Sequence, residues 1–257
     1  MLMRRIREHV GTHNWFAVSI DLVIVVLGVF LGTQVSNWNA ERLAHEAGDT
    51  YRARIATDLV INRDDMNARM AYYRQVRAFG LQVLGDLDGT ARLSDEQFLV
   101  AAYQATQIYP RPITRATYDE VISIGALAII GPPATREAIS NYYVGVETSE
   151  TTFRNVPPYR EIVRRAVPYQ VQERIRSACA ETMATSQSML STLVLPETCD
   201  LGIAREDLSR AAARVRATPG LELDATRLLA DIDQKLIQAE RTVERAERMA
   251  AELAEVR

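Results

Sequence analysis

The chain has 257 residues, and 30 lysine and arginine residues stand against 33 aspartate and glutamate residues, for a formal net charge of −3. Without an excess of positive charge, no nucleic-acid partner is expected. The histidines are confined to positions 9, 13 and 45, and the sequence contains none of the short motifs of hydrolases, nucleotide-binding proteins or metal sites. We therefore predict a non-enzymatic protein without catalytic residues, cofactor or metal.

Residues 15–38 form an apolar stretch long enough to cross a bilayer. A helix needs about 20 apolar residues to span a hydrocarbon core of about 30 Å, and no charged residue lies between Leu22 and Trp38. Trp15 and Trp38 bracket the stretch, as aromatic residues do at membrane interfaces. A core helix of a soluble protein would alternate its faces, and a cleaved signal peptide is shorter. We predict an uncleaved transmembrane helix in contact with membrane lipid.

The flanking charges predict the orientation of this helix. Three arginines lie in the preceding tail of residues 1–14, whereas residues 36–50 contain three acids and a single arginine, Arg42. Positive charge stays on the cytoplasmic side of a membrane. We therefore predict a cytoplasmic tail and, in a bacterium with two membranes, an inner-membrane protein whose following domain is periplasmic. Because the cytoplasmic part is so short, a sensor with a cytoplasmic output domain is not favoured.

A few polar and small residues interrupt the predicted transmembrane helix. Asp21 lies about one and a half turns beyond Trp15. An acid at this depth marks a partner, an ion pathway or a packed interface, unless it simply reaches the inner headgroup region. Gly28 and Gly32 have the G-x-x-x-G spacing that lets two helices approach closely. Together these residues predict self-association of the helix.

The order of residues in this stretch resembles an uncharacterised family of bacterial single-pass membrane proteins. The similarity rests on an acid, an apolar run, two spaced glycines, a glutamine and an Asn-Trp-Asn triplet: Asp21, residues 22–27, Gly28, Gly32, Gln34, Asn37, Trp38 and Asn39. Many members of the family have Glu in place of Asp21 and Ala in place of Gly32. The resemblance implies one membrane span and a helical external domain, without an established activity. Residues expected to make packing or partner contacts in the membrane are Asp21, Gly28, Gly32, Gln34, Trp38 and Asn39.

A second, looser similarity to the same family lies in the external domain. It comprises Thr117, Tyr118, Asp119 and Glu120, followed by Gly125 and by the pair Tyr142 and Tyr143. These residues are the candidates for an external functional site. A capping or packing role is the competing interpretation. Neighbouring acids elsewhere, such as Asp64 and Asp65, are interpreted as solvated surface.

The remainder of the chain predicts an all-α protein. Apolar residues recur at steps of three and four from Leu43 to Val76, so the transmembrane helix is expected to continue as a long stalk to about Leu87. Ser94 and Gln97 form a capping box that begins a further helix, expected to run to about Gln107.

Additional helices are predicted within a periplasmic domain of residues 39–223. One is capped by Thr117, one begins at Ala134, and one begins at Pro158, with Pro168 as a kink or a boundary. The short apolar run 126–130 fits either a buried connection or a strand.

Two features of the distal chain bear on assembly. Cys179 and Cys199 either form a disulfide that joins two helices across a loop, as an oxidising compartment would favour, or remain separate buried thiols. Residues 224–257 form an amphipathic, coiled-coil-like helix with a seam at Leu229, Ile232, Leu236, Ala239, Val243, Ala246, Ala250 and Leu253. This helix packs either along the stalk of its own chain or against other copies.

These observations predict a scaffold or accessory subunit of a membrane protein complex, either self-assembled or bound to a larger assembly. The alternative is an ion-coupled single-span subunit of an energised membrane complex that uses Asp21. It is similar in topology to the proton-accepting subunits of flagellar stator and TonB-energising systems. No peptidoglycan-binding signature follows the span in this chain.

Overall fold

The computed structural model describes residues 15–109, 111–184 and 192–255, and these are almost entirely helical. The helices are α1 (Trp15–Leu87), α2 (Asp95–Gln104), α3 (Ala116–Ser123), α4 (Pro133–Arg154), α5 (Pro158–Ala166), α6 (Tyr169–Ala178), α7 (Arg205–Arg216) and α8 (Leu221–Glu255). A 3-10 helix covers Ala126–Ile129, and an antiparallel hairpin pairs β1 (Thr182–Ala184) with β2 (Thr192–Val194). The predicted all-α class is confirmed. The predicted cytoplasmic tail lies outside the described residues.

The chain divides into two compact units between Tyr51 and Arg52. We call residues 15–51 the apolar unit and residues 52–255 the helical unit. Helix α1 contributes its first part to one and its second part to the other.

The apolar unit exposes its hydrophobic side chains. Among the described residues, α1 is the one helix long and apolar enough to cross a membrane, with a mean hydropathy of 2.2 over an 18-residue window, none of it buried. The hydroxyl groups of Ser19 and Thr33 donate hydrogen bonds to the carbonyl oxygens of Trp15 and Phe30 in the same helix. Such local bonds satisfy a hydroxyl group without water. The unit is compatible with a membrane span.

Helix α1 ends at Leu87, as predicted, and its termination follows from the next residues. The carboxylate of Asp88 accepts hydrogen bonds from the amide and the hydroxyl group of Thr90, and Gly89 has φ of +82°, a conformation that favours glycine. The predicted capping box of α2 is present: Ser94 Oγ accepts from the Gln97 amide, and Gln97 Oε1 accepts from the Ser94 amide. Helix α2 ends at Gln104, three residues before the expected position.

The second part of α1 is the central helix of the helical unit and not an exposed stalk. Its buried apolar residues recur at the predicted three- and four-residue spacing and include Ile55, Leu59, Met66, Tyr73, Val76 and Val83. Helix α8 runs antiparallel to it, since Arg77 pairs with Asp233 at 2.7 Å and Gly80 lies against Leu229. Helix α8 also packs against α4 and α5. It therefore packs within its own chain.

The buried stripe of α8 differs in part from the predicted seam. Lys235, Thr242 and Met249 are buried, whereas the seam residues that follow them, Leu236, Val243 and Ala250, are half-buried. The remaining seam residues are buried as predicted: Leu229, Ile232, Ala239, Ala246 and Leu253. Polar side chains occupy the stripe because α4 and the loop after it supply partners. Thr242 Oγ1 lies 3.0 Å from Ser149 Oγ, and Lys235 Nζ lies 2.7 Å from the Asn155 carbonyl oxygen.

In the middle of the chain, one local prediction is wrong and one open alternative is decided. Thr117 does not cap α3, which begins at Ala116; the Thr117 amide instead donates to Asp58 Oδ2 of α1 at 3.2 Å. A carboxylate from another helix thus satisfies an amide that has no partner within its own helix. Pro168 is a boundary, since α5 ends at Ala166 and α6 begins after the proline.

The cysteines are joined, but not between two helices. A disulfide links Cys179, at the end of α6, to Cys199, in the loop after β2, with Cα atoms 5.7 Å apart. It closes the base of the β1–β2 hairpin, which was not predicted. Its two strands have only three residues each, too few to produce a recognisable alternation in the sequence.

Candidate functional site

The candidate contact residues of the apolar unit are all exposed. At about 100° per residue, Asp21, Gly28, Gly32 and Asn39 fall on one narrow stripe of the helix, because Asp21 and Asn39 are separated by about five full turns. Gln34 lies on another face. A methyl group added at Gly28 or Gly32 would meet no atom within 4 Å among the described residues.

Trp38 and Asn39 are adjacent in sequence but lie on different sides of the helix. Trp38 lies about a quarter turn from the stripe and is 66% exposed. Asn39 Oδ1 accepts a hydrogen bond of 3.3 Å from Arg42, which is paired with Glu46 one turn further on. We refer to Asp21, Gly28, Gly32 and Asn39 as the polar-glycine stripe. Of the six predicted contact residues, the helix aligns these four and separates Gln34 and Trp38 from them.

The candidate tyrosines of the external domain come together. The rings of Tyr118 and Tyr143 stack with centroids 4.2 Å apart and an interplanar angle of 12°, and Tyr142 contacts Tyr143 edge to face at 5.0 Å. Such aromatic pairs contribute about 0.5–1.5 kcal/mol beyond the area they bury. The three tyrosines join α3 to α4.

Helix α1 supplies a polar partner for one tyrosine of this cluster. Asn62 donates to the Tyr142 hydroxyl oxygen at 3.0 Å and exchanges hydrogen bonds with the backbone of Thr114. Burial raises the pKa of Tyr142 to about 12 and also raises the pKa of Tyr143, with Asp58 adding to both shifts. Both phenols are therefore neutral at physiological pH, which suits packing and hydrogen bonding.

The two acids of the same motif pair with different arginines. Asp119 accepts from Arg115, the residue before α3, at 3.0 Å, and Glu120 accepts from Arg54 on α1 at 2.5 Å. Gly125 has φ of +68° and lets the chain turn from α3 into the 3-10 helix. The motif thus ties α3 to the central helix. No group of three or more metal-ligating side chains occurs within the described ranges.

A buried ion pair was missed in the sequence. Asp65 and Arg69 are 3% and 2% exposed, and Arg69 Nε donates to Asp65 Oδ2 at 2.7 Å. Tyr109 donates to the other carboxylate oxygen at 3.3 Å. Burial raises the pKa of Asp65, and the Arg69 guanidinium opposes that rise. The interpretation of Asp65 as solvated surface was wrong. Its i, i+4 spacing from Arg69, on the same face as Met66 and Tyr73, was the signal that could have revealed the pair.

Lys235, the sole lysine of the chain, was also missed. It is 2% exposed, donates from Nζ to the Asn155 carbonyl oxygen, and lies 5.2 Å from the centre of the Tyr73 ring. Burial lowers its pKa to about 8 against the opposing effect of Asp231. The helical periodicity does not reveal that this lysine is buried, because its partner is a carbonyl group 80 residues earlier in the chain.

In comparisons with known proteins, no family model, no curated protein and no solved structure matches this chain. The family resemblance and the roles attached to its residues therefore stay predictions.

Proposed function

We propose that the protein is a non-enzymatic, single-pass inner-membrane protein that acts as a scaffold or accessory subunit of a membrane protein complex. In this proposal the apolar unit spans the bilayer with its amino terminus in the cytoplasm, and the helical unit is periplasmic. The observation that carries the proposal is the polar-glycine stripe, which is exposed on a mostly apolar stretch of helix.

The chemistry of the stripe favours contact with another helix over contact with lipid. Small residues let helix backbones approach closely in a membrane, where packing and interhelical hydrogen bonds replace the hydrophobic effect. An ionisable side chain such as Asp21 costs several kcal/mol when it faces lipid, of order 3 kcal/mol at the centre of the bilayer, and usually faces a protein interior instead. A second copy of the same stripe offers both a close-packing surface for the glycines and a protein environment for Asp21.

Cysteine cross-linking in native membranes tests this contact. Val25 lies about 40° from Asp21 around the helix, whereas Val23 lies on the opposite side. We expect Val25→Cys to form a disulfide-linked dimer under mild oxidation and Val23→Cys to stay monomeric. Equal cross-linking of both variants would contradict a defined interface. Amine-reactive reagents are unsuitable here, since Lys235 is the sole lysine and is buried.

Two further measurements test the accessory role and the orientation. Native purification in mild detergent should recover either a single oligomer of defined mass or a stoichiometric complex with another membrane protein. Disulfides persist in the periplasm and are rare in the cytoplasm, so Cys179 and Cys199 should resist alkylation in intact cells until a reductant is added. Rapid alkylation of both thiols without reductant would place the helical unit in the cytoplasm.

A second candidate function is an ion-coupled subunit of an energised complex. Its support is Asp21, which is the only acidic residue between Trp15 and Asn39. Proton transfer requires a titratable group, whereas packing requires only shape and hydrogen bonding. If Asp21→Asn abolishes function while the complex still assembles, ion coupling is favoured. Normal function of Asp21→Asn, together with failure of Asp21→Leu, would rule it out.

A further inference from the structure

The helical unit contains a cavity that the proposed scaffold role does not use. Its volume is about 350 Å³, within the range of sites that bind small molecules. Its walls come from the central part of α1, residues 108–109 and 111–112, and the end of α4 with the loop that follows. These elements also carry the Asp65–Arg69 ion pair.

The floor of the cavity is a fixed guanidinium group. Arg69 lies between the rings of Tyr109 and Phe153, with its Cζ atom 4.9 Å from each ring centre. Asp65 accepts from its Nε, and the Arg111 carbonyl oxygen accepts from a terminal nitrogen. These four contacts hold the cation in one position, so a ligand above it meets a fixed positive charge that Asp65 partly compensates.

The rim adds two further arginines and one acid. Glu150 is held by Arg154 at 2.5 Å and accepts from the Ile113 amide at 3.2 Å, so its negative charge is already compensated. Arg111 approaches Asp65 only to 3.9 Å and its side chain is 42% exposed. Three guanidinium groups thus surround two carboxylates, which leaves an excess of one positive charge at the cavity. Arg111 is the group best placed to meet a ligand.

The rest of the wall is apolar and comes from Ile108, Pro112 and Val156 together with the two aromatic rings. A free phosphate or sulfate ion would leave this apolar surface in contact with water. An uncharged apolar molecule would leave the excess charge unpaired. A molecule with a single carboxylate on a compact apolar body pairs the excess charge and covers the apolar wall. Its carboxylate can accept two parallel hydrogen bonds from an arginine.

We propose that this cavity is a binding site for a small organic monocarboxylate with an aliphatic or aromatic body. The carboxylate binds the Arg111 guanidinium above the fixed charge of Arg69, and the body packs between Phe153 and Val156. This inference does not depend on the scaffold proposal, since it concerns residues of the helical unit alone.

Fluorine NMR on the full chain in lipid nanodiscs tests the proposal with 4-fluorophenylacetate as the probe. The neutral comparison is 4-fluorophenethyl alcohol, which has the same ring but no charge, and empty nanodiscs correct for partition into lipid. We expect saturable line broadening of the carboxylate and a dissociation constant at least about tenfold higher for the alcohol. Equal binding of both probes, or no saturable binding of the carboxylate, would overturn the proposal.

Three variants locate the binding in this cavity. Arg111→Gln removes the charge at the rim, and Val156→Trp fills the apolar part without changing the charge; each should weaken carboxylate binding by about tenfold or more. Arg210→Gln is the matched control, because Arg210 is an exposed arginine that pairs with Asp207 at a different surface. Loss of binding in Arg210→Gln, or its retention in both cavity variants, would assign the carboxylate to another site.

Discussion

The two parts of helix α1 place polar and apolar side chains in opposite environments. In the apolar unit, large hydrophobic residues such as Phe30 and Leu31 are more than half exposed. In the helical unit the same helix buries Asp58, Asn62 and Arg69. The difference shows that a helix side chain is sorted by the partners its surroundings supply and not by its polarity alone.

The buried polar groups of the central helix named above have such partners close by. Asp58 accepts from the Thr117 amide, Asn62 exchanges two hydrogen bonds with Thr114, and Arg69 pairs with Asp65. A buried polar group without a partner costs about 1–3 kcal/mol, and more if it is charged. These contacts therefore fix how α3 and the chain around residue 114 meet the central helix.

The largest expected effect comes from breaking the buried ion pair. Arg69→Met leaves Asp65 buried without its cation, which should destabilise the protein by about 4 kcal/mol. Burial raises the pKa of Asp65 and Arg69 opposes that rise, so in the variant the carboxyl group protonates at a higher pH. The stability loss should therefore shrink as the pH falls. Denaturant unfolding followed by far-ultraviolet circular dichroism at several pH values measures this.

The double variant Asp65→Asn, Arg69→Met is the control for that experiment. It removes both charges together, so it should be less destabilised than Arg69→Met alone. If the free energy of unfolding of Arg69→Met lies within about 0.5 kcal/mol of the native value, Asp65 is solvated in solution, as the sequence had indicated.

A smaller effect, a change of about 2 kcal/mol in the free energy of unfolding with pH, is expected from the deprotonation of Lys235. Its pKa falls from 10.5 in the unfolded chain to about 8 in the folded one, so between those values the unfolded chain binds more protons. The contribution of the lysine to stability should then rise with pH from 8 to about 10, by at most about 1.4 kcal/mol per pH unit. Buried tyrosines oppose this rise increasingly as the pH approaches 10, because their folded pKa values are raised, to about 12 for Tyr109 and Tyr142, and they ionise first in the unfolded chain.

Lys235→Met isolates the contribution of the lysine. The variant should lack the contribution of the lysine between pH 8 and 10 and keep the fall in stability caused by the tyrosines, which are unchanged. Acylation with an amine reagent gives an independent check, since this lysine should react only when the helical unit opens. Fast acylation of the folded protein, or a pH profile identical to that of the variant, would contradict burial of the amine.

Sequence patterns predicted those features of the fold that depend on neighbours along the chain. The end of α1 at Asp88-Gly89 and the Ser94–Gln97 capping box depend on contacts within a few residues, and both are present. The helical period also identified most of the buried stripe of α8. These features could be predicted from the sequence because local geometry determines them.

The remaining features depend on contacts between distant segments. Tyr118 and Tyr143 stack across 25 positions, and Thr117 receives its capping group from Asp58, 59 positions away. Lys235 and Thr242 occupy a stripe that the pattern assigned to Leu236 and Val243, because Asn155 and Ser149 supply hydrogen-bond partners. A single sequence contains no record of such pairs. The resemblance located the tyrosines, but only the packing showed that they meet.

The smallest expected effect is that of Phe30→Ala, which tests the contrast between the two units by comparison with a buried phenylalanine. Phe98 is fully buried and Arg216 packs over its ring at 4.3 Å, whereas Phe30 is 55% exposed. Phe98→Ala should therefore cost about 4 kcal/mol, and Phe30→Ala should change the unfolding of the helical unit by less than about 0.5 kcal/mol. Both tryptophans lie in the apolar unit, so their fluorescence follows that unit while circular dichroism follows the whole chain. A shift of 2 kcal/mol or more in the unfolding of the helical unit by Phe30→Ala would contradict this contrast, because an exposed side chain of the apolar unit would then contribute as much as a buried one.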